Sequence, residues 1–211
     1  MARNILVVCV CLLLTTAALA QAKTKSSVVR VLIQTELGDI EVELDAKRAR
    51  VTTENFLRYV DVGYYDGGRF HRTVKLKPDN QPTNTIKIEV IQAGVNPDMA
   101  KEGFAAIKLE PTNVTGLKHK DGVISMARST ADTATSDFFI CIGDQAELDF
   151  GGKRNADGQG FAAFGKVVKG MEVVKKIHQS PVEAQKLVPP IKIIRAKRLH
   201  FVMKGSQVVK E

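Results

Sequence analysis

The nucleophiles, imidazoles and carboxylates of this chain are mostly set where they can do little chemistry. Ser125 lies in Gly122-Val123-Ile124-Ser125-Met126-Ala127, without the Gly-x-Ser-x-Gly elbow that exposes a hydrolytic serine. Cys141 sits inside an apolar run with no evident base to make it a thiolate. His71, His119, His178 and His200 are dispersed and form no His-x-x-x-His pair. Asp149 and Asp157 lack calcium-loop spacing, so no metal site is expected. Arg72, taken alone, reads as a solvated strand face or one half of a buried ion pair. Nucleophilic hydrolysis therefore has little support, and a guanidinium among apolar and aromatic residues is what the chain offers.

Strand signals dominate the elements that must position these residues. Val28 to Thr35 and Asp39 to Asp45 alternate apolar and polar residues around Leu37-Gly38, which reads as a hairpin. Arg69 to Val74, Lys87 to Ala93, Gly122 to Ala127, Phe138 to Ile142, Phe161 to Val168 and Ile191 to Leu199 are further runs between turn signals. Thr52-Thr53-Glu54 opens a helix through Phe56, Leu57 and Val60, and Met171, Val174 and Ile177 mark a second one after Gly170. The expected fold class is all-β: a closed eight-stranded antiparallel barrel with two helices capping its ends. Periodicity alone leaves a sandwich open.

The ends and the composition set the compartment. Arg3, the ten-residue apolar run Ile5 to Leu14 and the small residues of Ala18-Leu19-Ala20 make residues 1–20 an expected export signal. The run is short of the roughly 20 residues that span a bilayer. The mature chain is expected to begin at Gln21, with a flexible lead-in at 21–27, one domain at 28–203 and a tail at 204–211. Cys9 and Cys11 leave with the signal, so no intramolecular disulfide is available and the domain must rest on its core. The net charge of +8 falls to +7 without Arg3 and is spread along the chain, with 6% aromatics and no Trp. That argues against nucleic acid as a partner. A monomer with no membrane contact after cleavage is expected, in the periplasm or secreted, since no Lys-Asp-Glu-Leu-type signal ends the chain.

Several blocks then agree in order and spacing: Thr52-Thr53-Glu54-Asn55-Phe56, Phe70-His71-Arg72, Ile91-Gln92-Ala93-Gly94, Gly122 to Ala127, Ser136-Asp137-Phe138-Phe139-Ile140, Leu148-Asp149 and Phe164-Gly165-Lys166-Val167. Together, from about Val31 to Leu199, they resemble the cyclophilin family of peptidyl-prolyl isomerases. The resemblance implies the family's eight-stranded barrel and an activity that needs neither cofactor nor ATP. No covalent bond changes when an X-Pro amide rotates; its C–N bond loses double-bond character against a barrier of roughly 18–20 kcal/mol. A guanidinium that hydrogen-bonds the prolyl nitrogen as it pyramidalises favours the twisted state over the planar one.

By resemblance Arg72 takes that role, Gln92 grips the substrate backbone, and Phe139 is the aromatic floor of the proline pocket. Leu148 is an aliphatic wall, Val90 stands where Met is usual, and Phe161 stands where His or Tyr is common. Phe138 and Phe139 alternate, so one should face the core and one the pocket. Phe70 joins the substrate-binding set through its motif. Ala127 and Arg128 are expected to pair with an extended peptide, Arg128 replacing the usual Asn, and Asp137 stands where Gln is common and could orient Arg72. Glu89 occupies a usual pocket Phe position; it either turns outward or pairs with Arg72 and narrows the dish. Glu147 replaces the Trp with which some members bind cyclosporin, so weak cyclosporin binding is expected. The segment Lys75 to Ile86 reads as a protruding loop, by default a surface insertion, and Phe150 to Gly160 as a second expansion. The resulting expectation is an isomerase that assists folding of exported proteins by acting on their proline-containing segments. The alternative is a module that binds proline segments or unfolded chains with little turnover, as Glu89 and Glu147 allow.

Overall fold

Period-two patterning becomes two antiparallel strands, β1 (Val29–Thr35) and β2 (Gly38–Leu44), in register from Val29↔Leu44 to Thr35↔Gly38. Val31 and Ile33 of β1 and Ile40, Val42 and Leu44 of β2 point into the core. The turn is Glu36-Leu37, and Gly38 at φ +131° follows it, where a Cβ would press within 2.8 Å of Val173. The computed structural model describes residues 29–199 and the backbone of two later strands, β10 (Phe201–Lys204) and β11 (Gln207–Lys210). The expected signal and lead-in lie outside the described residues.

Six more strands complete a barrel: β3 (Arg69–Val74), β4 (Val90–Gly94), β5 (Val123–Met126), β6 (Phe138–Cys141), β7 (Ala162–Lys169) and β9 (Lys186–Leu199). Their order is β1-β2-β7-β5-β6-β4-β3-β9, every pair antiparallel, and β9 closes the ring by pairing with both β3 and β1. The closed eight-stranded antiparallel barrel is therefore the fold, and closure removes the exposed edges a sandwich would keep. A two-residue strand, β8 (Val182–Glu183), hairpins onto the start of β9. β9 begins at Lys186, earlier than the expected Ile191, and carries Pro189 and Pro190 between its registered pairs Ile191↔Phe70 and Lys186↔Arg72. Prolines cannot donate to a ladder, and this irregular stretch asks them for no donor. Beyond Leu199, β10 and β11 pair with each other, so the segment expected as a tail contains a strand.

Helices α1 (Arg50–Asp61) and α3 (Met171–Gln179) pack against the barrel, and α2 (Thr112–Thr115) is a single turn. In α1, Phe56, Tyr59 and Val60 share one face, and the Phe56 ring meets Tyr65, Phe138 and Phe164 at centroid distances of 5.3, 5.4 and 5.2 Å. The helix starts at Arg50, before the Thr-Thr-Glu signal, because its cap comes from elsewhere. No side chain at its own N-cap serves it; the Glu110 carboxylate accepts from the Val51 and Thr52 amides and from Thr52 Oγ1 at 3.1, 2.7 and 2.6 Å. Glu110→Ala should therefore cost about 1 kcal/mol of unfolding free energy, as loss of an N-cap typically does. Urea denaturation with an unchanged m-value checks this, and no shift in midpoint would contradict it.

Candidate active site

Strand β3 carries a bulge, and the bulge makes the site. Phe70 pairs with Ala93 and Arg72 pairs with Gln92, so β3 advances two residues while β4 advances one, leaving His71 as the extra residue. Phe70 faces the barrel interior, fully buried and edge-on to Phe138 at 6.0 Å. Strict alternation would return Arg72 to that interior. The bulge instead turns Arg72 to the opposite face, where Val74 packs with Ile88, Val90, Phe139, Cys141 and Leu148 in a second, smaller apolar cluster. Phe70 is thus a core residue and not a substrate contact, a correction that follows from the same bulge.

Above the second cluster lies a cavity of about 290 Å³. Phe139 and Val90 form its floor, with Ile88, Leu148 and Phe161 as apolar walls; Phe161 stands edge-on to Phe139 at 5.3 Å and 88°. Phe138, one residue earlier, faces the barrel core, so the two rings divide as the alternation requires. Arg72, Gln92, Ala127 and Arg128 also line the cavity. Eight of the residues singled out in the sequence therefore meet there.

The Arg72 guanidinium is clamped by neutral oxygens. Nη1 donates to Gln92 Oε1 at 2.8 Å, while Nε and Nη2 donate to Gln185 Oε1 at 2.9 and 2.6 Å. Burial, and then the nearby charge of Arg154, pull its pKa below the ordinary value, yet an arginine stays protonated throughout the physiological range. Gln92 is oriented in turn: its Nε2 donates to Asp137 Oδ2 at 3.1 Å, which leaves Oε1 for Arg72. Asp137 thus acts on Arg72 through Gln92 rather than by direct contact, and it does not line the cavity.

Glu89 also departs from the substrate-binding set. It turns away from the cavity, accepts from the Leu76 amide at 3.2 Å and lies 3.7 Å from His178. Ile88 fills the apolar position instead, sharing one face of the strand with Val90 and Gln92 at two-residue spacing. Arg128 donates to the Gly160 carbonyl and, bidentately, to Asp157 at 2.7 and 2.9 Å; its guanidinium lies 5.2 Å from the Phe161 ring centre. That pair holds the Asp157 carboxyl down at about 2. The Ala127 amide is taken by the Asp137 carbonyl at 2.8 Å. Sequence reasoning missed Ile88, Arg154, Asn155 and Gln185. Period two could have found Ile88; Gln185 lies 113 residues from Arg72 and gave no local signal.

Beneath the floor, His119 is buried and its ring lies parallel to Phe139 at 6.0 Å and 16°. Its Nδ1 is 2.8 Å from Asp149 Oδ1 and its Nε2 3.0 Å from Ser125 Oγ. An ionised Asp149 can only accept, so Nδ1 carries the proton and the Ser125 hydroxyl donates to Nε2. The order matches a hydrolase triad, but Ser125 is fully buried and no substrate reaches it. The chain of hydrogen bonds braces the floor. Cys141, buried in the same cluster, has its thiol pushed far up by desolvation and stays protonated.

Comparison with known proteins adds to this geometry. Residues 30–198 match the family described as cyclophilin type peptidyl-prolyl cis-trans isomerase/CLD. The chain is 38% identical over 214 residues to peptidyl-prolyl cis-trans isomerase A of Dickeya dadantii, covering all of both chains. It is 37% identical over 169 residues to an Acinetobacter baylyi peptidyl-prolyl cis-trans isomerase, covering 77% of this chain and 81% of that one. Among solved structures, a Cryptosporidium parvum cyclophilin type peptidyl-prolyl cis-trans isomerase superposes with a TM-score of 0.64 at 23% identity, over 84% of this chain and 99% of that one. The same protein was also solved in the presence of the dipeptide Ala-Pro, with a TM-score of 0.63.

The floor brace has a measurable acid limit. Burial works to raise the Asp149 carboxyl, but hydrogen bonds from the His119 side chain and amide, with the charge of Lys118, bring it below the ordinary carboxylate value. A carboxyl depressed on folding contributes stability that is present above its unfolded pKa of about 3.9 and is lost as pH falls through the lower folded value. Asp149→Asn should therefore be less stable than wild type above pH 5, with the gap shrinking below about pH 4. Thermal unfolding of both proteins across pH 3–7 checks this; a gap that stays constant down to pH 3 would contradict it.

Proposed function

Because the chain belongs to the cyclophilin-type peptidyl-prolyl cis-trans isomerase family, we propose that Arg72 is the group through which this isomerase favours the twisted X-Pro bond. One observation carries the reading: a guanidinium clamped on one side by neutral amides overlooks an apolar dish. A proline ring suits the dish, since Phe139, Val90, Ile88, Leu148 and Phe161 offer it only carbon. The planar amide nitrogen hardly accepts a hydrogen bond, whereas the pyramidal nitrogen of the twisted bond does, so the interaction belongs to the transition state. Gln92, steadied by Asp137, keeps the fork in place and presents its amide to the substrate backbone. No proton or electron leaves the site. A solved protein of the same fold was determined in the presence of the dipeptide Ala-Pro, a proline-containing ligand of the kind this reading requires. Glu89, by turning away, leaves Arg72 without a counter-charge and removes the main reason for a module that binds without turnover.

The destination belongs to the same proposal. Residues 1–20 form an export signal, the mature protein starts at Gln21, and it works as a monomer on folding chains in the periplasm or outside the cell. The support is the apolar run and the small residues of Ala18-Leu19-Ala20.

Two outcomes test the chemistry. Arg72→Ala should lower kcat/KM for X-Pro exchange by about a hundredfold, the scale of losing one preorganised donor, and Arg72→Lys should fall between. Two-dimensional exchange NMR on an Ala-Pro peptide measures this, and equal rates for folded wild type and Arg72→Ala would remove Arg72 from catalysis. Glu147 is half-buried and its carboxylate accepts from the Lys153 amide, so no indole edge stands at that rim. Cyclosporin should therefore bind weakly; submicromolar inhibition would refute this.

A further inference from the structure

Arg154 reaches the same cavity from the loop Phe150 to Gly160. Its Nη1 donates to Gln81 Oε1 at 3.1 Å and to the Ile86 carbonyl, so the two loops of this face are fastened together by a guanidinium. Both acceptors are neutral, as are those of Arg72, and among the described residues no carboxylate pairs with either guanidinium. Arg128, the third arginine on the wall, differs in being neutralised by Asp157. The cavity also receives Asn155, whose Nδ2 is buried with no hydrogen-bond partner.

Two uncompensated positive charges and an unused amide donor thus border one apolar dish. Desolvating a guanidinium without a counter-charge is costly, and an anionic ligand lowers that cost. The backbone of an X-Pro segment brings carbonyls but no charge, and Arg72 is occupied with the prolyl nitrogen. What remains for a flanking side chain is Arg154 with Asn155. Resting on the reading that X-Pro segments bind in this cavity, we infer that the site selects segments carrying a carboxylate side chain, Glu or Asp, beside the proline, with Arg154 as the specificity-determining residue.

The test uses matched peptides that differ at one position, Glu, Gln or Lys immediately before or immediately after the proline, with exchange rates and chemical-shift titrations measured on each. In one of the two positions the Glu peptide should bind and exchange about tenfold better than its Gln counterpart, with Lys worse than Gln, the scale of one hydrogen bond to a charged partner. The preference should shrink in high salt, fall to about one in Arg154→Gln, and persist in part in Arg154→Lys, which a purely structural role for the loop contact would not produce. Equal Kd values for Glu and Gln peptides at both positions, or a preference that survives Arg154→Gln, overturns the inference even where exchange is catalysed. A phosphoserine-Pro peptide bound more tightly than the Glu-Pro peptide would assign the charges to phosphate and overturn the carboxylate assignment. Glu-selective binding with no accelerated exchange supports the inference while refuting the catalytic role of the cavity.

Discussion

The extra residue in β3 is the constraint on which the site depends. A barrel strand has one face for the core and one for the surroundings, and its alternation leaves no freedom to put residues i and i+2 on different faces. Phe70 must fill the barrel beside Phe138, and Arg72 must leave it. Inserting His71 against the Phe70↔Ala93 and Arg72↔Gln92 pairs satisfies both. The partner strand β4 needs no such device: Ile91 and Ala93 go inward while Val90 and Gln92 go outward in plain alternation.

Once outside the core, Arg72 is held by amide oxygens, and that choice has an electrostatic consequence. A carboxylate partner would hold the guanidinium firmly but would spend its charge on a ground-state ion pair. Gln92 and Gln185 hold the geometry with three hydrogen bonds and leave the charge available. The one carboxylate in the network, Asp137, is kept a step back, behind Gln92. Arg128 illustrates the opposite arrangement: paired with Asp157 and the Gly160 carbonyl, it is a strut that fixes a loop and walls the cavity beside Phe161.

The barrel and most of the cavity were legible because they follow from short-range pattern. Alternation marked the first two barrel strands and runs between turn signals marked the other six, and the apolar or polar type of Gln92, Phe139, Leu148 and Phe161 agreed with the family blocks. What escaped notice depends on register or on distant chain. Glu89 was matched to a pocket position and left either to turn outward or to pair with Arg72; it turns outward, and Ile88 is the residue on the correct parity with Val90 and Gln92. Phe70 was counted as a contact because a bulge does not show in composition. Gln185 and Glu110 act across 113 and 58 or more residues, so nothing near Arg72 or α1 announces them. The two prolines of β9 hid the first part of that strand for the opposite reason: a local rule was obeyed, at a place where the ladder is interrupted.

The loop after β3 shows why such distant residues are needed. Read as a sequence, Lys75 to Ile86 is an insertion; in the fold it is the anchor of the Arg72 clamp. Asn80 takes the Lys75 amide on its side-chain oxygen and donates to the Thr73 and Ala184 carbonyls, tying the loop to the turn between β8 and β9. The Asn80 carbonyl then accepts from Gln185 Nε2, which turns Gln185 Oε1 toward Arg72. Gln81 is buried and bonds both ends of the loop, at Lys75 and Ile88, and its side-chain oxygen also accepts from Arg154. An amide cannot be aimed by charge, so its orientation must be set by saturating its other hydrogen bonds, and that requires rigid backbone on several sides. The loop supplies this backbone, and a guanidinium held only by neutral partners is the arrangement it makes affordable.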